Sequence, residues 1–449
     1  MNWQTLKLIR LLLDPRIVGT PLRVLRALRA RGQPRLPDRI EREMGGGLGK
    51  RHALAFLRQW LDGELLTRHD GQWVLNSFLP PFPGRAFDRM FENLLSGRRL
   101  SPVSAFLAVT AACPYRCWHC SLKNRRTGEL TTREWLAAIA SLHDLGTSIV
   151  GFTGGEPLVR EDLPELVEAA RRGGAATIVF TSGAVEDARK IEALKRAGLW
   201  ALCVSLDHVE PAEHDRLRGT PGAFARALAV LRLARQAGFY TMIGAVATRR
   251  LVEQQIHVGL HGLAREIGAQ ELRLVEPMPC GLLTGTCADT LLTPEHVREL
   301  RRFHVETNRA GRLPKVCAFN HIESPELFGC GAGTQHLFID SAGEVCPCDF
   351  TPMSFGNVLR EPLSAIWNRM NDAMHNPRRH CFIQKHHGLI VRHAGGQYPL
   401  QPEASLRVCA EAGAEPLPDY FAWVTGAGRS GKNPTCEPER FNVTTNGHE

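Results

Sequence analysis

No stretch of eighteen uncharged apolar residues occurs in this chain, so no membrane-spanning helix is expected. The first residues lack a clean apolar run leading to a small-residue cleavage site, so no secretion signal is expected either. Without export, the 13 cysteines are not expected to form a disulfide framework, and cytoplasmic metal chemistry is the reading that remains. Glycine and proline are not enriched (42 and 28 of 449 residues), which points to a folded chain. The formal charge is +9, yet neither aromatic interleaving nor a nucleic-acid motif accompanies it, so nucleic acid is not an expected partner. With 43% hydrophobic residues at this length, two or three domains are expected, with a sizeable core in the largest.

Much of the positive charge sits at the front. Residues 1–31 carry Lys7, Arg10, Arg16, Arg23, Arg26, Arg29 and Arg31 against only Asp14. Leu6, Ile9, Leu12 and Leu13 form one apolar stripe, and Leu22, Leu25 and Leu28 form another. Residues 1–35 therefore read as a basic amphipathic helical segment. It either lies on the inner, anionic face of a membrane or packs on the protein with its basic face in water. The expected location is cytoplasmic, peripheral on the inner membrane face under the first of these alternatives.

Residues 36–100 read as a small helix-plus-hairpin region and linker. A helical pattern runs through Ala53, Phe56, Leu57, Trp60 and Leu61, and Asp70-Gly71 separates two short alternating runs, a hairpin signal. Helix then hairpin suggests a winged-helix-like unit that docks a substrate or leader peptide, or caps the next domain. From 101 to 314 the rhythm is strand then helix. Strands are predicted at Val103–Val109, Ser148–Phe152, Ala176–Thr181, Leu199–Leu206, Tyr240–Val246 and Glu271–Val275, with helical patterns between them. The fold class is α/β, a partial (β/α)6 TIM-like barrel, with active groups at the C-terminal strand ends. A doubly wound sheet is the alternative. Residues 315–385 read as a small cysteine-rich α+β domain stapled by metal. Residues 386–449 read as an irregular, loosely wrapping tail.

The first strand leads into Cys113-Pro-Tyr-Arg-Cys117-Trp-His-Cys120. A disulfide would leave one thiol over, and a structural zinc site normally takes four ligands. Three thiolates can hold three irons of a [4Fe–4S] cube and leave the fourth iron open. The alternative is zinc. Cys-x3-Cys-x2-Cys after the first barrel strand resembles the signature of radical S-adenosylmethionine (SAM) enzymes. The resemblance implies that the open iron chelates the amino and carboxylate groups of SAM, whose reductive cleavage gives a 5′-deoxyadenosyl radical. It implies Cys113, Cys117 and Cys120 as cluster ligands.

Other motifs of that family follow in order. Gly154-Gly155-Glu156-Pro157 resembles the stretch that holds the SAM amino group, and Thr181-Ser182-Gly183 the contact to the ribose or methionyl part. Ser205-Leu-Asp207 through His214-Asp215-Arg-Leu-Arg218-Gly219 resembles a run of the peptide-modifying branch, which implies Ser205 and Arg218 as holders of the SAM carboxylate. A guanidinium suits that role because it pairs bidentately. One extra residue between them makes Arg216 a competitor. Tyr115 and Trp118 are expected to border the adenine, and Val275-Glu276-Pro277 to offer it backbone.

Between Cys330 and Phe350 a second cysteine field surrounds a hairpin signal at Ile339–Val345. The hairpin would bring Cys330 near Cys346 and Cys348, with Cys381 as a fourth thiol after a helix at 362–373. Cys330, Gly343 and Cys348 resemble the start of the SPASM or shorter twitch extension. The further Cys-x2-Cys-x5-Cys-x3-Cys of the full domain is missing. One auxiliary [4Fe–4S] cluster is therefore implied rather than two, with Cys330, Cys348 and Cys381 as ligands. Cys346 or Cys317 could be the fourth, or the fourth iron could be open. Zinc is again the alternative. Cys280 and Cys287 either ligate metal, face substrate or are structural.

These readings together predict hydrogen abstraction from a peptide or peptide-derived substrate, with oxidation or ring formation, an auxiliary cluster, and an electron donor such as a flavodoxin or ferredoxin. Radical modification of a membrane lipid or isoprenoid is the runner-up, and a zinc-bound, non-enzymatic scaffold the third reading. Glu276, Asp207 and His336 are acid–base candidates by position.

Overall fold

The computed structural model describes residues 60–61, 63–95, 101–125, 128–285 and 290–425. The basic segment 1–35, most of the helical pattern at 53–61, Cys287 and Cys436 lie outside the described residues.

Nine strands form one sheet. In chain order they are β3 (Ser104–Thr110), β4 (Ile149–Gly154), β5 (Ala176–Thr181), β6 (Ala201–Ser205), β7 (Tyr240–Val246), β8 (Glu271–Val275), β9 (Lys315–Ala318), β10 (His336–Ile339) and β11 (Val345–Cys346). A separate hairpin precedes them, β1 (Thr67–His69) and β2 (Gln72–Val74). The sheet order is β11-β10-β3-β4-β5-β6-β7-β8-β9, and every pairing is parallel except β10 with β11. Strands β3–β8 are the six expected. The sheet is not closed: β9 and β11 are its two edges. Segments expected in the separate cysteine-rich region supply three of its strands, with β10 pairing with β3 through four residues.

Helices α1 (Arg85–Leu95), α2 (Thr132–Leu145), α3 (Leu163–Arg172), α4 (Ala188–Ala197), α5 (Pro211–Arg218), α6 (Ala223–Gln236), α7 (Arg249–Glu253), α8 (Ile256–Ile267) and α9 (Pro294–Arg309) alternate with these strands. Their limits are written locally. Thr131 caps α2 through a reciprocal box with Glu134, and left-handed Gly146 ends it. Asp187 caps α4 by accepting from the Arg189 and Lys190 amides. Alternate residues of β3 serve two layers. Leu107 and Val109 pack with helix residues such as Trp135 and Leu142, whereas Ala108 packs inside with Phe338. Each fully buried leucine of the outer layer contributes about 1.5–3 kcal/mol. No helix among the described residues is long and apolar enough to cross a membrane.

Two expectations change. No discrete winged-helix unit is seen among the described residues. Instead β1–β2, turning at Asp70 (φ 47°) and Gly71 (φ 75°), packs at the N-terminal end of the sheet. Val74 joins Ile149, Ile178, Tyr240 and Met242 in a core of its own. Lys315 donates to the Val74 and Leu75 carbonyls (2.8 and 3.0 Å), and its burial lowers its pKa to about 8. The plug therefore closes the end opposite the cysteine loop. Second, residues 386–425 are largely helical, not irregular. After α10 (Phe319–Ile322) and α11 (Leu363–Met374) come α12 (Phe382–Ala394), α13 (Pro402–Ala412) and α14 (Asp419–Thr425). Val408 and Cys409 are buried against the main core, so packing overrides the polar composition of the segment.

Candidate active site

Strand β3 ends at Thr110, and the three cysteines follow on a loop at the C-terminal end of the sheet. The loop is tied on three sides by backbone. Toward β4, Gly155 N–H donates to the Thr110 carbonyl (2.7 Å) and Glu156 N–H to the Ala112 carbonyl (2.8 Å). Toward α5, the amides of Arg116 and Trp118 donate to the carbonyls of Arg218 (3.1 Å) and Leu217 (3.4 Å). Beyond β8, Leu282 N–H donates to the Cys120 carbonyl (3.0 Å). Two glycines make these approaches possible. A Cβ on Gly155 would lie 2.2 Å from the Ala112 oxygen, and one on Gly281 (φ 58°) 2.1 Å from the Cys120 oxygen.

Cys113 is exposed, and Cys117 and Cys120 are half-buried. Desolvation raises the Cys117 pKa, and the Arg218 charge opposes that rise. Arg218 is buried, with Nη1 3.8 Å from Cys117 Sγ and Nη2 2.6 Å from Asp207 Oδ2. Its Nε has no partner among the described residues, so one donor remains for an anion. Asp207 is held in turn by the Val246 amide (3.0 Å) and stays well ionised through Arg218, despite burial. Asp207 is thus a structural anchor. The competitor Arg216 is exposed and pairs with half-buried Glu213 (2.9 Å), with no hydrogen bond to Cys117 among the described residues. Ser205 closes β6, half-buried, two residues before Asp207.

The Gly154–Pro157 stretch lies beside the cysteine loop, with Gly154 at φ 129°. Glu156 is fully buried. It accepts from the Leu158 amide (3.0 Å), Thr181 Oγ1 (2.6 Å), the Ser182 amide (2.8 Å) and Ser182 Oγ (2.5 Å). Four donors match the lone pairs of one carboxylate, so Thr181 and Ser182 fix Glu156 and, through it, the turn. Tyr115 is buried and accepts from Arg226 Nε (3.1 Å), whose guanidinium lies over its ring. Trp118 borders a small cleft with Asp207, Leu217 and Ile256.

The second field lines a cavity. Cys330, Cys348 and Cys381 line one cavity of about 200 Å³, with Phe106, Arg273 and Phe319 elsewhere on its walls. Cys330 is held below the ordinary thiol value, first by a hydrogen bond from the Cys381 thiol. Cys381 is raised by the same bond, and Cys348 is raised by burial. Cys346 does not join them. It packs with Ala108 and Phe338, and Arg125 Nη1 lies 3.8 Å from its sulfur. The chain bends at Pro347, so the two-residue alternation of a strand does not carry through to Cys348. Cys317, on β9, sits instead among Glu271, Arg273 and Lys315. Glu276, considered as an acid or base, is engaged by Asn320 (3.1 Å) and Gln384 (2.9 Å). His336 bonds to Ser104 (2.8 Å).

Both fields suit iron–sulfur clusters. Among the described residues no three His, Cys, Asp or Glu side chains converge on a single-ion site. A cluster is wider than one ion and takes its thiolates further apart. Arg378 tests the second field independently. It is 3% exposed, none of its three guanidinium nitrogens has a hydrogen-bond partner among the described residues, and its backbone pairs with Cys330. An unpaired buried cation is unfavourable by several kcal/mol or more. The guanidinium lies over the Phe382 ring, 5.0 Å from its centre, and thiolates on a cluster beside it would supply compensating negative charge.

A family model for the radical SAM superfamily matches residues 107–257, and one for an iron-sulfur cluster-binding domain (SPASM) matches residues 330–388. The PqqA peptide cyclase of Gluconobacter oxydans is 33% identical over 298 residues, 62% of this chain and 82% of that protein. The chain belongs to the radical SAM superfamily. It is a radical SAM enzyme with a SPASM domain, and that membership implies SAM and iron–sulfur cofactors. The AdoMet-dependent heme synthase of Methanosarcina barkeri is 30% identical over 283 residues, 58% of this chain and 80% of that protein. The crystal structure of Streptococcus suis SuiB with its precursor peptide SuiA shares the fold, with a TM-score of 0.51 at 17% identity over 71% of this chain and 76% of that one.

Several residues of this radical SAM enzyme escaped sequence reasoning. Arg226, Gly281 and Arg378 act through contacts between distant segments. Only Arg378 left a local signal, in the cationic run Arg378-Arg379-His380 before Cys381.

Proposed function

We propose that this enzyme cleaves SAM reductively at the Cys113/Cys117/Cys120 loop and oxidises a peptide or peptide-derived substrate by hydrogen abstraction. The observation that carries the reading is the clamped thiol loop, with a buried arginine beside Cys117 that keeps one donor free. Cys113, Cys117 and Cys120 would hold a cluster that, reduced by a flavodoxin- or ferredoxin-type donor, would supply the one electron needed for reductive cleavage of SAM and so for hydrogen abstraction from substrate. An auxiliary cluster held by Cys330, Cys348 and Cys381 would supply an acceptor for the electron that the substrate gives up, together with a proton, to complete the oxidation. Arg218 is placed to hold the SAM carboxylate, with Ser205 beside it. Glu156, locked by Thr181 and Ser182, shapes the turn that meets the amino group. Tyr115 and Trp118 flank the loop on the α5–α6 side, where the adenine is placed in this reading. Cys330, Cys348 and Cys381 hold the auxiliary cluster.

The peptide class is supported by the similarity to the PqqA peptide cyclase. A tetrapyrrole is the second reading, favoured by the similarity to the heme synthase. The test is anaerobic purification and reconstitution, then assay of iron, sulfide, zinc and 5′-deoxyadenosine. Two clusters of four irons predict about eight irons per chain. Zinc without iron, or full iron with no SAM cleavage under reduction, overturns the proposal. Transfer of deuterium into 5′-deoxyadenosine from deuterated synthetic peptides supports the first reading, and transfer only from a deuterated tetrapyrrole supports the second.

A further inference from the structure

The proposed auxiliary site has three thiols on the wall of one cavity and needs a fourth ligand, or an open iron. Neither cysteine near in sequence supplies it, because Cys346 faces Ala108 and Phe338, and Cys317 lies among the charges of the sheet interior. Glu323 lines the same cavity as Cys330, Cys348 and Cys381. It follows α10, the short helix leaving β9, so the sheet itself delivers it there. Its carboxylate has no hydrogen bond or ion pair among the described residues.

We infer that the Glu323 carboxylate is the fourth ligand of the auxiliary cluster, giving a three-sulfur, one-oxygen ligand set. The inference rests on the reading that Cys330, Cys348 and Cys381 hold that cluster. Two other polar groups on the wall are less free. The His336 ring is bonded to Ser104 (2.8 Å), and Asp349 lies 3.7 Å from His336 Nε2. Replacing a thiolate by a harder oxygen donor distinguishes one iron from the other three and raises the cluster potential, since ligand type is among the determinants of that potential.

The experiment isolates this cluster in the full-length Cys113→Ala/Cys117→Ala/Cys120→Ala variant, reconstituted with iron and sulfide. Mössbauer spectra of that parent are expected to show one iron of the cluster distinct from the rest. Added Glu323→Gln should keep the iron but change the reduced-state EPR signal and make it respond to added cyanide. Glu323→Cys should keep the iron, remove the distinct site and lower the midpoint potential. An unchanged EPR signal in Glu323→Gln at full iron content overturns the inference, as does a change seen with Asp349→Asn and not with Glu323→Gln. If Glu323→Gln loses the iron, restoration by Glu323→Cys or Glu323→Asp supports ligation, and failure of both overturns it. Retention of the same cluster after Cys330→Ala and Cys348→Ala would instead defeat the underlying reading of the site.

Discussion

Cys113 stands exposed on a loop tied mainly by backbone to neighbouring strand ends, whereas Cys330 is buried at 7% exposure in a cavity wall, near an arginine whose guanidinium has no hydrogen-bond partner among the described residues. In the proposed function both regions would present three thiols to a cluster, but they would solve different problems. The first would have to admit SAM, which suits its exposed Cys113, and its order comes from neighbouring strand ends. The second is walled by Phe106, Phe319 and Arg273, and its order comes from packing. A thiol triplet therefore does not define a role. Access and surrounding charge do.

The largest expected effect breaks the first region. Cys117→Ala should reduce 5′-deoxyadenosine formation to background while leaving auxiliary iron in place. Retained SAM cleavage would contradict the assignment. Arg218→Met should fall next, because it strands buried Asp207 without its cation. A loss of roughly 3–5 kcal/mol in denaturant unfolding is expected, together with weakened SAM binding. Asp207→Asn in the same background should recover part of the stability and none of the SAM binding.

In the second region Cys348→Ala should halve the iron and abolish product. Uncoupled SAM cleavage should stay within about tenfold of the parent, or roughly 1.4 kcal/mol of barrier. Unchanged product would remove the auxiliary cluster from the reaction. Arg378→Leu should separate the two states of that region. The iron-free protein should gain about 1–3 kcal/mol from losing an unpaired buried charge, while reconstituted protein should hold less auxiliary iron.

The last effect concerns His321, on α10, two residues before Glu323. Burial and the neighbouring His304 and Arg301 lower the His321 pKa to about 3. Between the ordinary histidine value and that one, the unfolded chain binds a proton that the folded chain does not. Stability therefore falls as pH drops through this window, with a slope approaching ~1.4 kcal/mol per pH unit for one group. His321→Phe should flatten the acid side of the stability curve by that one proton. An unchanged slope would mean that the ring is protonated in the folded state.

The chain's own order of residues determined the repeating strand–helix units, the placement of Cys113, Cys117 and Cys120 after β3, and the Asp70-Gly71 hairpin. Each depends on short-range rules: apolar runs, caps, and residues that tolerate positive φ. Arg218 was also legible, though the choice over Arg216 came only from seeing which guanidinium faces Cys117. Tertiary structure alone decided the rest. The extension of the sheet by β9–β11, the exclusion of Cys346 from its neighbours at Pro347, the helical packing of residues 386–425, and the meeting of Glu323 and Arg378 with the second thiol group all join segments far apart in sequence. Such contacts are set by which faces are buried together, and no local pattern encodes that choice.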